Sequence, residues 1–254
     1  TRFKCDWSSD VCSSDLRSAD NVGTGHKKIV DSRTDKLAAV DEELVRLTRT
    51  MAEKAERRRL LEGLEQSMEG FSGAVRAVLK AAEQGRLRGI HGTVASLIST
   101  EDKFATAIET ALGYSMQNIV ADTEGDAKAA IALLKERGAG RATFLPIATI
   151  RGRTMEPPKA GAGYCGIASQ LVKTDTRYRE IIENLLGRTA VAENLDTGLA
   201  IAQGNGYKFR IVTLDGQVVN AGGSMTGGSL AKETGILSRR GEITALESEL
   251  SGME

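Results

Sequence analysis

Aromatic residues are scarce in this chain. Phe, Tyr and Trp make up 4% of its 254 residues, and there is one tryptophan. Charged residues reach 27%, a balance that suits long exposed helices better than a wholly globular body. There is no net charge, since Lys+Arg and Asp+Glu are equal at 34 each. A global pull toward nucleic acid or an anionic surface is therefore excluded, and any such contact must be a local patch. No apolar run approaches the roughly 18 residues of a membrane span, so no membrane partner is expected. No leader pattern is visible at the start. Three cysteines, an odd number without metal-ligand spacing, fit a reducing cytoplasm and imply no metal. The two histidines, His26 and His91, also lack ligand spacing. The three prolines, Pro146, Pro157 and Pro158, fall in one short region, which leaves long stretches on either side free to be helical.

Residues 1–20 repeat a Cys/Ser/Asp pattern without helical or strand period and read as a foreign or disordered tail. Beyond them, Leu37, Val40, Leu44, Leu47 and Met51 step by three and four, the seam of a coiled coil. Val30, Leu61 and Met68 share the frame, while Lys54, Arg58 and Glu65 interrupt it. An incoming arm is expected over 26–69, weakened near Gly63. Ile243, Leu246, Leu250 and Met253 repeat the signal, so an outgoing arm is expected over 239–254. Two such helices can pair antiparallel.

Between the arms, short apolar segments alternate with helical pattern, which makes the block α+β. Strands are expected at 93–98, 118–121, 142–145, 189–192, 209–214 and 217–219. Helices are expected at 101–112, 124–136, 176–186 and 195–203. The block also repeats. Residues 97–104 shifted by 74 positions fall on 171–178, and Leu112-Gly113 falls on Leu186-Gly187 at the same shift. This implies two similar α/β subdomains, 71–150 and 151–238. A twofold-like block between coiled-coil arms is a natural dimerisation module.

Gly222, Gly223, Ser224, Met225, Thr226, Gly227 and Gly228 form a stretch with almost no side-chain cover. Such backbone can adopt positive φ and allow another backbone to approach closely. A phosphate loop would need a lysine and then Ser or Thr after its last glycine, and Gly228 is followed by Ser229 and Leu230. An α/β enzyme holding phosphate on glycine-rich loops is thus the weaker alternative, and no cofactor is expected. The GxGxxG match at 161–166 follows a Pro-Pro pair instead of a strand and reads as a loop. No catalytic residue stands out, since no nucleophile elbow occurs.

Together, the glycine run, residues 141–146, 89–92 and 210–216 resemble the hinge of a bacterial structural maintenance of chromosomes (SMC) protein. The resemblance implies the hinge fold flanked by antiparallel coiled-coil helices. It implies a homodimer through the glycine segment, with an edge strand at 217–219 pairing across the interface. It also implies a cytoplasmic, nucleoid-associated, chromosome-segregating ATPase whose head, which engages kleisin-type partners, is not in this sequence. DNA binding of modest affinity, to single or double strands, is implied through basic residues near the segment and arm root. The candidates are Lys208, Arg210, Lys232, Arg239 and Arg240.

Overall fold

The computed structural model describes residues 9–66, 70–159, 161–229 and 235–253. The chain divides into two units, one reaching to Arg57 and the other spanning Arg58–Gly252. Apart from Met253, what is described of the first unit is a single helix, α1 (Ser9–Gln66), whose last residues belong to the second. Its 58 residues give a length of roughly 87 Å at about 1.5 Å per residue. The seam residues Leu37, Val40 and Leu44 are each 62% exposed, an apolar stripe that only another helix would cover. Ion pairs such as Arg49–Glu53 at 2.9 Å lie on the flanks. Ser9 to Asp20 are helical, although their sequence shows no helical period. No proline interrupts them, and a helix nucleated downstream propagates cheaply toward its N-terminus. Gly63 also lies inside α1. Residues 1–8 and Met68 lie outside the described residues.

The second unit continues with α2 (Gly73–Glu83), β1 (Ile90–Thr93), β2 (Ile98–Thr100), α3 (Asp102–Leu112), β3 (Ile119–Ala121), α4 (Glu124–Arg137) and β4 (Phe144–Pro146). A similar series comes next: β5 (Tyr164–Ile167), β6 (Val172–Thr174), α5 (Arg179–Leu186), β7 (Thr189–Ala192), α6 (Leu195–Gly204) and β8 (Arg210–Thr213). Then come β9 (Val218–Val219), β10 (Met225–Thr226) and α7 (Ile236–Ser251).

The repeat appears in the hydrogen bonds. In each half a strand pairs antiparallel across a bulge, Ile90/Gly92 in β1 and Tyr164/Gly166 in β5. Each next pairs two strands in parallel, β3 with β4 and β7 with β8. The halves meet where β2 pairs antiparallel with β6, and Ser99 faces Lys173, its own counterpart at the 74-residue shift. Thr100 Oγ donates to the Leu171 carbonyl at 2.7 Å, and Thr174 Oγ donates to the Leu97 carbonyl at 2.9 Å. These are one bond written twice about a local twofold axis. The halves share one core: Val94, Ile98, Phe104 and Ile108 from the first pack with Val172, Ile181, Ile182 and Leu186 from the second.

Several elements depart from expectation. The strand expected at 93–98 is split by a 3-10 turn at Val94–Leu97, where Thr93 and Ser96 cap each other. Helix α2, with Ala74, Val75, Val78 and Ala81 buried, was not anticipated. Strands β5 and β6 were missed, and the GxGxxG match runs into β5 instead of opening a helix. The outgoing helix begins at Ile236, earlier than residue 239.

Candidate functional site

The glycine segment is the end of a sheet. The second half carries five strands in the order β10-β9-β8-β7-β5, and the first half three in the order β1-β3-β4. The expected edge at 217–219 is corrected: β9 is covered on both sides, and β10, inside the glycine segment, is the edge. The β9–β10 hairpin closes on the bond from Asn220 N–H to the Ser224 carbonyl at 2.8 Å. Gly222 (φ 85°) and Gly223 (φ 95°) make the turn, a conformation that favours glycine. Antiparallel alternation then directs the Met225 N–H and C=O away from β9, toward the open edge.

Gln217 clamps the chain just beyond β10. Its Nε2 donates to the Gly228 carbonyl at 3.1 Å, and its Oε1 accepts from the Gly228 N–H at 2.9 Å. Sequence reasoning missed this clamp, because a lone Gln carries no signal of its partner. The Met225 side chain is 51% exposed on this two-residue strand.

Sheet one ends on a complementary edge. Ile119 N–H donates to the Thr143 carbonyl and Ile147 N–H to the Ala121 carbonyl, so residues 143, 145 and 147 face β3. Phe144 N–H and C=O therefore point outward, while the Pro146 C=O accepts the Thr149 and Ile150 N–H groups of the turn that follows, at 3.2 and 3.0 Å. Proline is tolerated on such an edge because it lacks the donor. Tyr114, 92% exposed, stands beside the start of this strand in a groove shared with Phe71, Val75 and Ala142. Neither β4 nor Tyr114 was among the sequence candidates.

The basic candidates have unlike surroundings. Lys208 is exposed, and Lys232 lies outside the described residues. Arg210 is half-buried and donates to the Ala111 carbonyl at 2.8 Å and the Thr110 carbonyl at 3.2 Å, so it closes the end of α3. Burial pushes its guanidinium below the usual value. Arg240 Nη1 donates to the carbonyls of Ser96 at 3.0 Å and Ala95 at 3.3 Å. Arg239 is half-buried. The two best-defined guanidiniums thus serve the fold.

A polar bridge crosses between the halves. His91 Nε2 lies 2.9 Å from Asp122 Oδ1, and the Tyr178 hydroxyl lies 3.2 Å from His91 Nδ1. Arg177 also pairs with Asp122. The His91 hydrogen bond, opposed by partial burial and helped by the Arg177 guanidinium, holds the Asp122 carboxyl below the ordinary carboxylate range. The position matching His91 is Cys165, whose thiol burial pushes up, with Glu193 adding and Lys103 opposing. An Asp whose folded pKa is depressed adds stability above its unfolded pKa, and the gain vanishes as pH falls through the folded value. Asp122→Asn should therefore melt earlier at neutral pH, by about 1 kcal/mol because the exposed side chain is screened. The two melting curves should converge below the ordinary carboxylate range. A gap that persists in acid would mean that the charge on Asp122 contributes nothing.

Among the described residues no group of His, Cys, Asp and Glu could hold a metal, and no helix is long and apolar enough to cross a membrane.

Comparison with known proteins places these edges in context. Residues 87–202 match the family described as SMC proteins flexible hinge domain. The chain is 45% identical over 201 residues to the chromosome partition protein Smc of Bacillus subtilis, covering 77% of this chain and 17% of that protein. It therefore spans under one fifth of that relative's length. Among solved structures it resembles an asymmetric dimer of the Geobacillus stearothermophilus SMC hinge domain, with a TM-score of 0.74 and 40% identity. That likeness covers 84% of this chain and 87% of the other. The Pyrococcus furiosus SMC hinge domain is similar at a TM-score of 0.54 and 28% identity, covering 72% and 96%.

Proposed function

Because the chain belongs to the SMC family and carries its hinge domain, we propose that it is a non-enzymatic homodimerisation hinge, the joint between two coiled-coil arms. The observation that carries the reading is the pair of unlike open edges, β10 on one half and β4 on the other. In a twofold dimer β10 of each copy adds to β4 of its partner, so two contacts form at once. Backbone bonds supply affinity in such strand addition, and neighbouring pockets supply specificity. Met225, on β10, and Tyr114, beside the start of β4, are both exposed in the single chain. The glycine residues keep the approach free of side chains. Solution mass across a dilution series tests the reading, with the Met225→Pro variant as its control.

The chain is then a segment of a longer ATPase that organises and partitions chromosomes in the nucleoid, and kleisin-type subunits engage parts outside this sequence. DNA contact is the thinner part of the proposal. Arg210 and Arg240 are occupied by backbone carbonyls, so phosphate contact falls first to Lys208. Lys208→Glu should weaken binding of a DNA oligonucleotide at low salt and flatten its salt dependence. Unchanged affinity in a titration would remove Lys208 from the contact.

A further inference from the structure

Helix α7 begins without a cap of its own. Gly235 is its N-cap and has no side chain to accept the free amides of the first turn. Glu109 of α3 supplies the acceptor from another element. Its Oε1 receives the Leu237 N–H at 2.7 Å and the Ser238 N–H at 3.0 Å, and the Ser238 hydroxyl lies 3.4 Å away. A carboxylate there also meets the positive end of the helix dipole. A side chain on Gly235 would collide with Glu109, and one on Gly241 would collide with Asp102. The two glycines therefore let α3 and α7 lie close together. Leu237 is buried in the shared core, and Arg240 holds the carbonyls of Ala95 and Ser96 one turn further on.

The other half lacks this arrangement. The residue matching Glu109 is Glu183, which is spent on Arg179 of the same helix at 2.8 Å, and among the described residues no helix starts over it. Glu109 also sits beside Thr110 and Ala111, whose carbonyls hold Arg210 on β8, two strands in from the β10 edge.

We infer that Glu109 is a positioning residue for the outgoing arm: it fixes the direction in which α7 leaves the hinge, beyond stabilising the helix. This rests on reading α7 as the root of an arm. A ready-made local cap would start the helix equally well but would leave its direction free. Using a carboxylate rooted in α3 ties the first turn to the core.

The test uses the full chain with spin labels at Lys128 on α4 and Ser248 on α7, both exposed and both in the second unit, and with Cys5, Cys12 and Cys165 replaced by serine. Labelled chain is diluted into unlabelled chain, so that only distances within one copy are read. The unchanged chain should give one narrow distance distribution. Glu109→Ala should lose it, whereas Glu109→Gln, which keeps the acceptor oxygen, should retain it. In Glu109→Ala, space opens for Gly235→Asp, which caps the helix locally. That double variant should recover slow amide exchange at Leu237 and Ser238 yet keep the broad distribution. A narrow distribution in Glu109→Ala, or one restored by Gly235→Asp, would overturn the inference, because Glu109 would then be only a cap. The solution mass of each sample is read in parallel. A monomeric unchanged chain would count against the dimer while leaving the Glu109 result readable.

Discussion

Met225→Pro should be a monomer at concentrations where the unchanged chain is a dimer. The N–H of Met225 points to the open side of β10, so proline there removes no bond within the chain's own sheet. It does remove a donor from the edge and places a ring where a second strand would lie. A twofold interface counts each loss twice. At about 1 kcal/mol for each missing hydrogen bond plus the steric cost, the dimer should weaken by about 3 kcal/mol, on the order of 100-fold. Light scattering across a dilution series reads this directly. An unchanged dimer with intact circular dichroism would move the interface away from β10. Bulky replacements at Gly222 or Gly223 are a poorer probe: both have positive φ, so the variant would strain its own turn.

Ile108→Ala and Ile182→Ala should each lower one common melting transition. The two isoleucines occupy matching places in the repeat, on α3 and α5, and are buried in the same core. Each truncation should cost roughly 3 kcal/mol, within the usual range for a large aliphatic side chain that leaves a cavity. For a unit of this size that is a fall of roughly 6–12 °C. Calorimetry at fixed chain concentration is the measurement, since dimerisation shifts apparent stability by mass action. Two separate transitions, each sensitive to one substitution, would show that the halves fold independently.

The sequence was most legible where pattern is local. The helices at 102–112, 124–137 and 195–204 begin and end within a residue or two of expectation, because Thr123 and Asn194 cap α4 and α6 and Leu-Gly or Gly closes them. The repeat was visible because the same apolar spacing recurs with the same stop. Tertiary assignments were less legible. Three-residue strands such as β6 carry too few alternations to register, and β5 hides inside a glycine-rich match. That Arg210 and Arg240 face backbone carbonyls depends on what lies opposite them, which spacing along one chain does not encode. The edge was placed one strand too early for the same reason: only the hairpin reveals that β10 covers β9.

The strand pair that joins the halves binds like to like. A segment that pairs with its own counterpart about a twofold axis, Ser99 against Lys173, is what a homodimer of a single half would form. Two separate copies of one half would have identical edges, so like would have to mate with like. Two halves of one chain are free of that constraint: one carries the β9–β10 hairpin and the other ends on β4. One crossing is His91, Asp122 and Tyr178, and its mirror is Cys165, Glu193 and Phe104. Covalent linkage thus lets a locally symmetric body present two unlike ends.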